Sequence, residues 1–554
     1  MNQALDTDVL IVGAGPVGMT LALCLARRQV RCTLVELKAA DAATEIKCNH
    51  ISARSMEVFR RLGVAKDLRA SGLPDDYPHD VSYRTSTVGQ EITRIHIPGR
   101  LTRLTDHTGP DGWWPTPEPP HRLNQRYIEP ILSAHVGREP LIRRLYQHQA
   151  VDIQQDADDV ILRCIVLTDG STVSLRARFV VGCDGGRSLV RKSIGAKLVG
   201  DEVVQRVQST CVRAPDLIAR LKAPPAWAMF TVNPRRSGNV YAIDGRETWL
   251  IHNYLRDHES DFESVDRDWA IRTILGVGPD FQYEMLSKED WIGRRLVADK
   301  LRQGRVFIAG DAAHLWVPYA GYGMNAGIAD ADNLAWHLAA QFEGWATPQA
   351  LDAYERERHP ITEQVSHFAM NHAHAMSQRR RAIPSDIEEE GPAGDASRRS
   401  FGDDLYELNV QQYCCAGLNF GYYYDDSPVM VYDDETAPAY SMGSFTPSTV
   451  PGCRAPHAWL SDGVSLLDAL GPAYTLVCSA QANAHHTALL QQAMSAARVP
   501  LQVLSSEGIQ EWPTEYQHVW HLIRQDSHVV WRGNEITQAS AQAVVDRLRG
   551  AYQP

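Results

Sequence analysis

The sequence predicts an α/β fold built around a parallel sheet, and three features of the chain indicate it. Near the N-terminus, a short β-branched apolar stretch is followed by a glycine-rich turn, a helical stretch and a second apolar stretch. Two later segments, residues 179–195 and 304–340, repeat the order of apolar strand and glycine/aspartate turn. Because the last strand can run beside the first, we expect the three turns to lie together at one edge of the sheet.

The first segment has the order of a dinucleotide-binding, Rossmann-like unit. Val9–Val12 has the length and composition of a buried strand, residues 17–28 those of a helix, and Cys32–Val35 those of a second buried strand. This strand–helix–strand order is the context in which a glycine motif is informative.

The turn after the first strand is a G-x-G-x-x-G motif. Gly13 permits the tight turn, Gly15 lets the backbone approach a pyrophosphate, and Gly18 lets helix and strand pack closely. Free N–H groups and the helix dipole then face the phosphates. Glu36 ends the second strand, where a carboxylate can bind ribose hydroxyls. The segment therefore predicts a dinucleotide site rather than an ordinary glycine turn.

Composition excludes several classes of protein. The 554 residues suggest two to four domains, and a net charge of −12 argues against a nucleic-acid-binding protein. The ten cysteines include no C-x-x-C pair, which excludes zinc ribbons and dithiol redox centres. We also find no H-E-x-x-H motif, and the histidines in residues 367–374 fall at loose helical spacings, so no metal site is predicted.

Targeting features are also not expected. The first strand begins within about ten residues of the N-terminus, which leaves no room for a signal peptide. The sequence contains no run of about eighteen apolar residues that could span a membrane. We therefore expect a protein of the reducing cytoplasm.

Between the first and second turns, the pattern predicts two helices and several strands. The helices are expected at residues 51–64, with Ser52 or Ser55 as cap, and at residues 122–136. Alternation around Gly89 predicts a β-hairpin over residues 81–97, and residues 151–166 and 171–181 are predicted as alternating strands.

Beyond the second turn, residues 210–290 alternate with many aromatics, which predicts a sheet with one packed face. The charged residues 378–399 predict a solvated linker. Residues 450–554 predict a small α/β unit. Its strands are expected at Tyr474–Cys478, 501–504, 519–523 and 529–531, and its helices at 484–497 and 538–549.

On these motifs the chain resembles the FAD-dependent aromatic hydroxylases, which are single-component flavin monooxygenases of the p-hydroxybenzoate hydroxylase fold. The resembling motifs are residues 13–18, 183–188, 310–314 and 321–333, and the likeness spans most of residues 8–358. It implies a Rossmann-like FAD-binding domain interleaved with a β-sheet substrate domain.

The C-terminal stretch, residues 522–533, resembles the end of the thioredoxin-like domain of the phenol hydroxylase / 2-hydroxybiphenyl monooxygenase branch. Since C-x-x-C is absent, the likeness implies a packing role and a homodimer. The implied division is FAD-binding at 1–78, 105–190 and 291–345, a substrate-domain hairpin at 79–104, a substrate-binding sheet at 191–290, a helical linker at 346–400, and a C-terminal thioredoxin-like domain at 401–554.

The resemblance also implies cofactor-binding residues. Those expected at the pyrophosphate and adenosine end are Gly13, Gly15, Pro16, Gly18 and Glu36. Those expected nearer the flavin are Gln125, Asp311 at the ribityl chain, Pro318 over the ring, and Gly321, Gly323, Met324 and Asn325 at its pyrimidine edge. Asp184 belongs to a turn that serves FAD and NAD(P)H together.

Three positions depart from the family pattern. Lys47 stands where an arginine usually contacts the cofactor, which keeps the charge but loses the planar fork. Tyr322 replaces a usual glutamine, and Ala320 replaces a usual glycine. These changes bear on flavin mobility rather than on flavin binding.

The implied reaction uses NAD(P)H and O2. NAD(P)H reduces FAD, O2 adds to give a flavin C4a-hydroperoxide, and one oxygen atom passes to the ortho position of a phenolic substrate. The same chemistry also allows loss of a nitro or halide substituent, which stays open. A non-catalytic FAD-bearing binding module is the alternative from another class.

The substrate pocket must exclude water and help the phenol lose its proton. The candidate polar residues are Asn49, His50, Tyr241, His252 and Tyr254, and the identity of the base stays open. His314 is expected to brace the third turn. Three aromatics could belong either to the core or to the substrate pocket: Trp227, Phe230 and Trp249.

Overall fold

The structure is a computed structural model that describes residues 5–317 and 321–552. Its strands are β1 (Val9–Val12), β2 (Cys32–Val35), β3 (Val81–Arg84), β4 (Glu91–Ile95), β5 (Ile142–Leu145), β6 (His148–Gln155), β7 (Val160–Val166), β8 (Thr172–Ala177), β9 (Phe179–Gly182), β10 (Leu198–Arg213), β11 (Ala228–Thr231), β12 (Gly238–Ala242), β13 (Thr248–Tyr254), β14 (Glu284–Lys288), β15 (Trp291–Ala298), β16 (Arg302–Gln303), β17 (Val306–Ile308), β18 (His314–Trp316), β19 (Tyr474–Cys478), β20 (Leu501–Ser505), β21 (Trp520–Arg524) and β22 (Val529–Gly533). Its α-helices are α1 (Pro16–Arg27), α2 (Ala53–Arg61), α3 (Ala65–Arg69), α4 (Gln125–Arg138), α5 (Leu189–Ser193), α6 (Arg267–Leu275), α7 (Tyr322–Phe342), α8 (Asp352–Arg381), α9 (Pro392–Tyr413), α10 (Ala484–Ala496) and α11 (Gln538–Leu548).

The first sheet has the order β16-β17-β9-β1-β2-β5 and is parallel except for β16. Val12 pairs with Val35 on one side and with Gly182 on the other, and Gly182 pairs with Ile308. The carboxyl ends of β1, β9 and β17 therefore stand side by side. This confirms the expectation that the three glycine/aspartate turns meet at one edge of a parallel sheet.

The second sheet has the order β18-β15-β10-β13-β12-β11-β3-β4, with β14 beside β10. The antiparallel pair β3–β4 confirms the predicted hairpin. One side of the sheet shares a core cluster with Ile271 and Ile274 of α6. On the other side, Leu250 packs with Ile46 and Tyr127, which flank the first sheet. The second sheet therefore covers the region where the turns meet.

The C-terminal sheet has the order β20-β19-β21-β22, with α10 and α11 packed together beside it. Its strands and helices begin and end within a residue or two of the predicted positions. Arg524 on β21 donates two hydrogen bonds, of 2.8 and 2.7 Å, to the buried Glu357 on α8. This ion pair anchors the C-terminal unit to the long helix.

Three predicted segments differ in the structure. Residues 171–181 form two strands rather than one: β8 pairs with β7 in a three-stranded sheet, and β9 belongs to the first sheet. Residues 151–166 form two strands rather than one, because the Asp156 carboxylate accepts the N–H groups of Asp158 and Asp159 and makes a turn. The predicted linker at 378–399 consists of the end of α8, a short connection and the start of α9. Pro392 suits the first position of α9, where its missing N–H costs nothing.

No α-helix within the described residues is long and apolar enough to cross a membrane.

The structure contains several buried histidines, and because of them we expect the protein to lose stability in mild acid. Burial lowers the pKa of His79 and His521 to about 3, and that of His252 and His372 to about 4. Below pH 6.5 these rings take up protons only in the unfolded chain, so each costs about 2 kcal/mol of stability at pH 5. We expect the thermal midpoint to be highest near neutral pH and to fall steeply between pH 6.5 and pH 5.

Two histidines on α8 provide a matched test of this effect. His372 is buried and its Nε2 lies 3.1 Å from Asn409 Oδ1, whereas His374 is exposed. His372→Gln should make the fall in thermal midpoint shallower, and His374→Gln should leave it unchanged. A midpoint that is flat from pH 7 to pH 5 would contradict the assignment of neutral buried rings.

Candidate active site

The first and second turns are locked together by backbone contact. Gly13 has a φ of +105°, and a Cβ there would lie 2.3 Å from the carbonyl oxygen of Cys183. A Cβ on Gly18 would lie 2.0 Å from the carbonyl oxygen of Gly13. No side chain fits at either position, so these two glycines are required by the fold itself.

Gly15 is different, because a Cβ there would meet no atom within 4 Å. It is the N-cap of α1, which has no side-chain cap, and Pro16 follows at the first helical position. The first N–H groups of α1 therefore face open space beside Gly15. Such a backbone cradle at a helix N-terminus fits a pyrophosphate.

The carboxylate of Glu36 is fixed at the edge of this cradle. Its Oε2 accepts the N–H of Ala14 at 2.7 Å, and its Oε1 accepts the N–H of Lys38 at 2.8 Å. An ionised carboxylate has about four acceptor positions, so two backbone bonds leave capacity for hydroxyl donors.

Asp184, in the second turn, directs its carboxylate into its own turn. Oδ1 accepts the Ser188 hydroxyl at 2.5 Å, and Oδ2 accepts the N–H of Leu189 at 2.7 Å. Burial raises the pKa of this carboxyl, although these hydrogen bonds act in the opposite direction. The side chain therefore shapes the turn and caps α5.

Asp311, in the third turn, lies at the floor of a cleft. It keeps exposed surface, yet the surrounding protein desolvates the carboxyl and raises its pKa, while the charges of His314 and Lys47 lower it. Lys47 is exposed and forms an ion pair with Glu45. The structure thus brings Asp311 and Lys47 to the same cleft.

The segment that carries Lys47 is joined to α4 and to α7. The N–H of Gln125 donates to the Cys48 carbonyl at 2.7 Å, while the Gln125 side chain donates to Glu129 at 2.6 Å. Asn325 accepts the N–H of Ser52 at 2.8 Å and donates to the His50 carbonyl at 3.1 Å.

The start of α7 has the same character as the start of α1. Gly321 is its N-cap with a φ of +63°, no side chain caps it, and Gly323 and Met324 lie in its first turn. Its N–H groups are therefore available to a partially negative group. Pro318, predicted over the flavin, and Ala320 lie outside the described residues.

A buried ion-pair network supports the third turn. Asp330 on α7 accepts Arg358 Nε on α8 at 2.9 Å, the N–H of Gly310 at 3.2 Å, and contacts His314 Nε2 at 2.9 Å. Burial raises the pKa of Asp330, but the charges of Arg358 and His314 outweigh it and bring the pKa to about 2. Asp330 and Arg358 were not among the predicted residues, since nothing in the local sequence pairs them.

His50 is buried, and its Nδ1 contacts the guanidinium of Arg122. Because arginine only donates, Nδ1 accepts and the ring hydrogen resides on Nε2. Burial and the charge of Arg122 lower the pKa of His50 well below its usual range. His50 is therefore a neutral hydrogen-bond donor, which makes it unsuited to take a proton from a phenol.

The second sheet and the end of α9 together form an aromatic wall. Its members are Phe230, Tyr241 and Trp291 of the sheet, Trp227 directly before β11, and Tyr413 at the end of α9. His252 lies within this wall, with ring centroids 5.6 Å from Tyr241 and 5.7 Å from Trp291. Burial lowers the pKa of His252 to about 4.

The remaining candidates occupy different places. Tyr254 lies two residues beyond His252 on β13, with the guanidinium of Arg380 4.5 Å from its ring. Asn49 is half-buried, and its side-chain oxygen accepts a hydrogen bond from the Asn124 amide at 2.5 Å. It therefore lies on the loop before α2 and not in the aromatic wall. Trp249 is fully buried and donates to the Ala214 carbonyl at 3.2 Å, which makes it a core residue.

Among the described residues, no group of three or more His, Cys, Asp or Glu side chains is arranged so that it could hold a metal ion.

A parallel sheet with three turns at one edge, two uncapped helix starts and a covering aromatic sheet defines a dinucleotide-binding flavoprotein. Residues 6–369 match the family model described as an FAD binding domain. A putative polyketide hydroxylase of Streptomyces halstedii is 30% identical over 95% of this chain and 93% of its own length. Phenol 2-monooxygenase of Pseudomonas sp. (strain EST1001) is 26% identical over 100% of this chain and 94% of its own.

A solved structure agrees with these sequence matches. RebC with bound 7-carboxy-K252c has a TM-score of 0.87 and 32% identity, covering 99% of this chain and 100% of the other. The chain belongs to the FAD-dependent aromatic hydroxylases, and it is an FAD-binding monooxygenase.

Proposed function

We propose that the protein uses NAD(P)H and O2 to hydroxylate a phenolic ring next to its hydroxyl group. The balanced reaction converts phenol, O2, NAD(P)H and a proton into catechol, water and NAD(P)+. The observation that carries the proposal is the aromatic wall with a neutral histidine, placed over the edge where the three turns meet. Bound FAD supplies the electron transfer from NAD(P)H to O2.

The cofactor roles follow from the geometry of the cradle. Gly15 and the N–H groups after Pro16 hold the pyrophosphate, and Glu36 holds the adenosine ribose. Asp311 binds a hydroxyl of the ribityl chain, for which its exposed carboxylate is suited.

The start of α7 faces the pyrimidine edge of the flavin. Its N–H groups stabilise the negative charge that this edge gains on reduction. Gln125 and Lys47 flank the same cleft. The Gln125 N–H donates to Cys48 in the segment that carries Lys47, and Asn325 holds that segment. Asp184 serves by shaping its turn rather than by direct contact.

The substrate roles follow from protonation states. His252 is neutral above about pH 4 and can accept a hydrogen bond from the phenol hydroxyl. His50 can donate from Nε2, which suits a phenolate oxygen once it forms. The aromatic wall excludes water from the ring that is oxidised.

The C-terminal unit has a structural role in this proposal. Its central β19 pairs in parallel with β20 and antiparallel with β21, and α10 and α11 lie beside the sheet, which is consistent with a thioredoxin-like domain. Without a C-x-x-C motif it has no dithiol chemistry. We assign it to packing and to a homodimer contact in the cytoplasm.

A panel of ring-substituted phenols tests the proposed reaction. The purified protein should be yellow, and a suitable phenol should accelerate NAD(P)H oxidation and yield a product heavier by one oxygen atom. Using 18O2 should place the label in the product. A product in which an oxygen atom from O2 has replaced a nitro or halide group, instead of a ring hydrogen, would contradict simple hydroxylation. Yellow protein indifferent to every phenol would favour a binding module.

A further inference from the structure

A cavity of about 650 Å3 opens at the end of the second sheet. Parts of β10, the turn between β11 and β12, the segment after β13 and the end of α8 line it. A single phenol ring needs far less space, since pockets of this volume hold drug-sized ligands. The hydroxylation of a small phenol therefore leaves this cavity without a role.

The lining of the cavity is strongly basic. Its charged residues are Arg206, Arg236, Arg256, Arg380 and Arg381, against Asp257. Arg236 is neutralised by Glu259 at 2.7 Å, and Arg381 forms an ion pair with Asp257. Arg206 and Arg256 add two further positive charges to the lining.

Two of these arginines have no carboxylate bonded to the guanidinium within the described chain, although the backbone N–H of Arg256 donates to Glu259 at 2.7 Å. Arg256 is exposed and donates to the carbonyls of Pro234 and Arg235, at 3.0 and 2.6 Å. The half-buried Arg206 guanidinium has no hydrogen-bond or ion-pair partner among the side chains that the structure describes. A guanidinium in this situation favours a carboxylate, which it can bind through two parallel hydrogen bonds.

The cavity adjoins the aromatic wall. Tyr254 and Arg380 line both this cavity and a smaller pocket that Tyr83 and Phe230 also line. Phe230 belongs to the aromatic wall. Tyr254 lies two residues beyond His252 on β13, which is a distance of about 7 Å along the strand. A ligand seated at His252 can thus extend past Tyr254 into the basic cavity.

We propose that this cavity is the outer part of the substrate site and that it binds a carboxylate at the far end of an extended aromatic substrate. Arg206 and Arg256 recognise the carboxylate, while the phenolic ring lies at the aromatic wall. The inference rests on the proposed hydroxylation and adds to it the substrate class: a phenol of two or more rings with an anionic group distant from the reacting carbon.

Binding of a matched ligand pair to the FAD-loaded enzyme tests the inference. The probes are 4′-hydroxybiphenyl-4-carboxylate and its carboxamide, with the dissociation constant read from the change in flavin absorbance. We expect the carboxylate to bind about tenfold more tightly than the amide, and less tightly as salt is raised. Arg206→Gln combined with Arg256→Gln should remove that difference and change amide binding by less than about twofold.

Arg213→Gln is the control, because Arg213 is an exposed arginine of the same strand that pairs with Glu247 outside the cavity. Arg213→Gln should change neither the dissociation constant of the carboxylate nor that of the carboxamide. Equal binding of acid and amide, or an acid preference that survives the double substitution, would overturn the inference. NAD(P)H oxidation and product formation are measured separately. If the carboxylate binds more tightly than the amide but no product forms, the proposed hydroxylation is wrong, whereas the proposed carboxylate-binding site is supported.

Discussion

Gly15→Ala is expected to leave the protein folded and to weaken FAD binding on the order of tenfold or more. The backbone at Gly15 has a φ of −71°, which alanine adopts without strain, and a Cβ meets no protein atom within 4 Å. The added methyl group instead occupies the space beside the first N–H groups of α1, where the pyrophosphate is proposed to lie. The measurement is the FAD dissociation constant of the apoprotein, with far-ultraviolet circular dichroism as the check of the fold.

Two other glycines make this result interpretable. Gly508→Ala adds a methyl group at an exposed position of the C-terminal unit with no atom within 4 Å, so it should change neither stability nor FAD binding. Gly18→Ala forces a Cβ to 2.0 Å from a backbone oxygen and should reduce folded yield together with FAD content. If Gly15→Ala binds FAD like the unchanged protein, the cradle at α1 is not the pyrophosphate site.

The elements that the sequence predicted well are those in which local chemistry decides the structure. Val9–Val12 and Cys32–Val35 are strands because continuous apolar runs of that length suit a sheet covered on both faces. Of the two predicted caps, Ser52 and Ser55, it is Ser52 that caps α2, by accepting the N–H of Ser55. The same locality explains the four C-terminal strands.

The features that the sequence could not give are contacts between distant residues. His50 was a candidate base, and only the approach of Arg122, 72 residues away, fixes its tautomer and makes it a donor. Asp330 and Arg358 lie on different helices, so no periodicity links them to the third turn. The basic cavity draws its arginines from four segments whose separate sequences are unremarkable for a protein surface.

Asp330→Asn is expected to lower the free energy of unfolding by about 3–5 kcal/mol, because it leaves Arg358 buried without its carboxylate. It should also weaken FAD binding, since Asp330 holds Gly310 and His314 in the third turn. The double variant Asp330→Asn/Arg358→Met should lose much less free energy of unfolding than the sum of the losses in the two single variants. The reason is that it no longer buries an unpaired charge. Denaturant unfolding of the four proteins gives the coupling energy.

Asp332→Asn separates the effect on the cofactor from the effect on stability. Asp332 is two residues further along α7 and pairs with Arg61 at 2.6 Å and Arg28 at 3.9 Å, away from the third turn. Its substitution should therefore also lower stability while leaving FAD affinity unchanged. If Asp330→Asn weakens FAD binding no more than Asp332→Asn does, or if the single losses simply add, the network does not hold the third turn in place. A loss of FAD affinity that is specific to Asp330 and is shared by Arg358→Met would mean that α8, through Arg358, helps to set the geometry of the third turn.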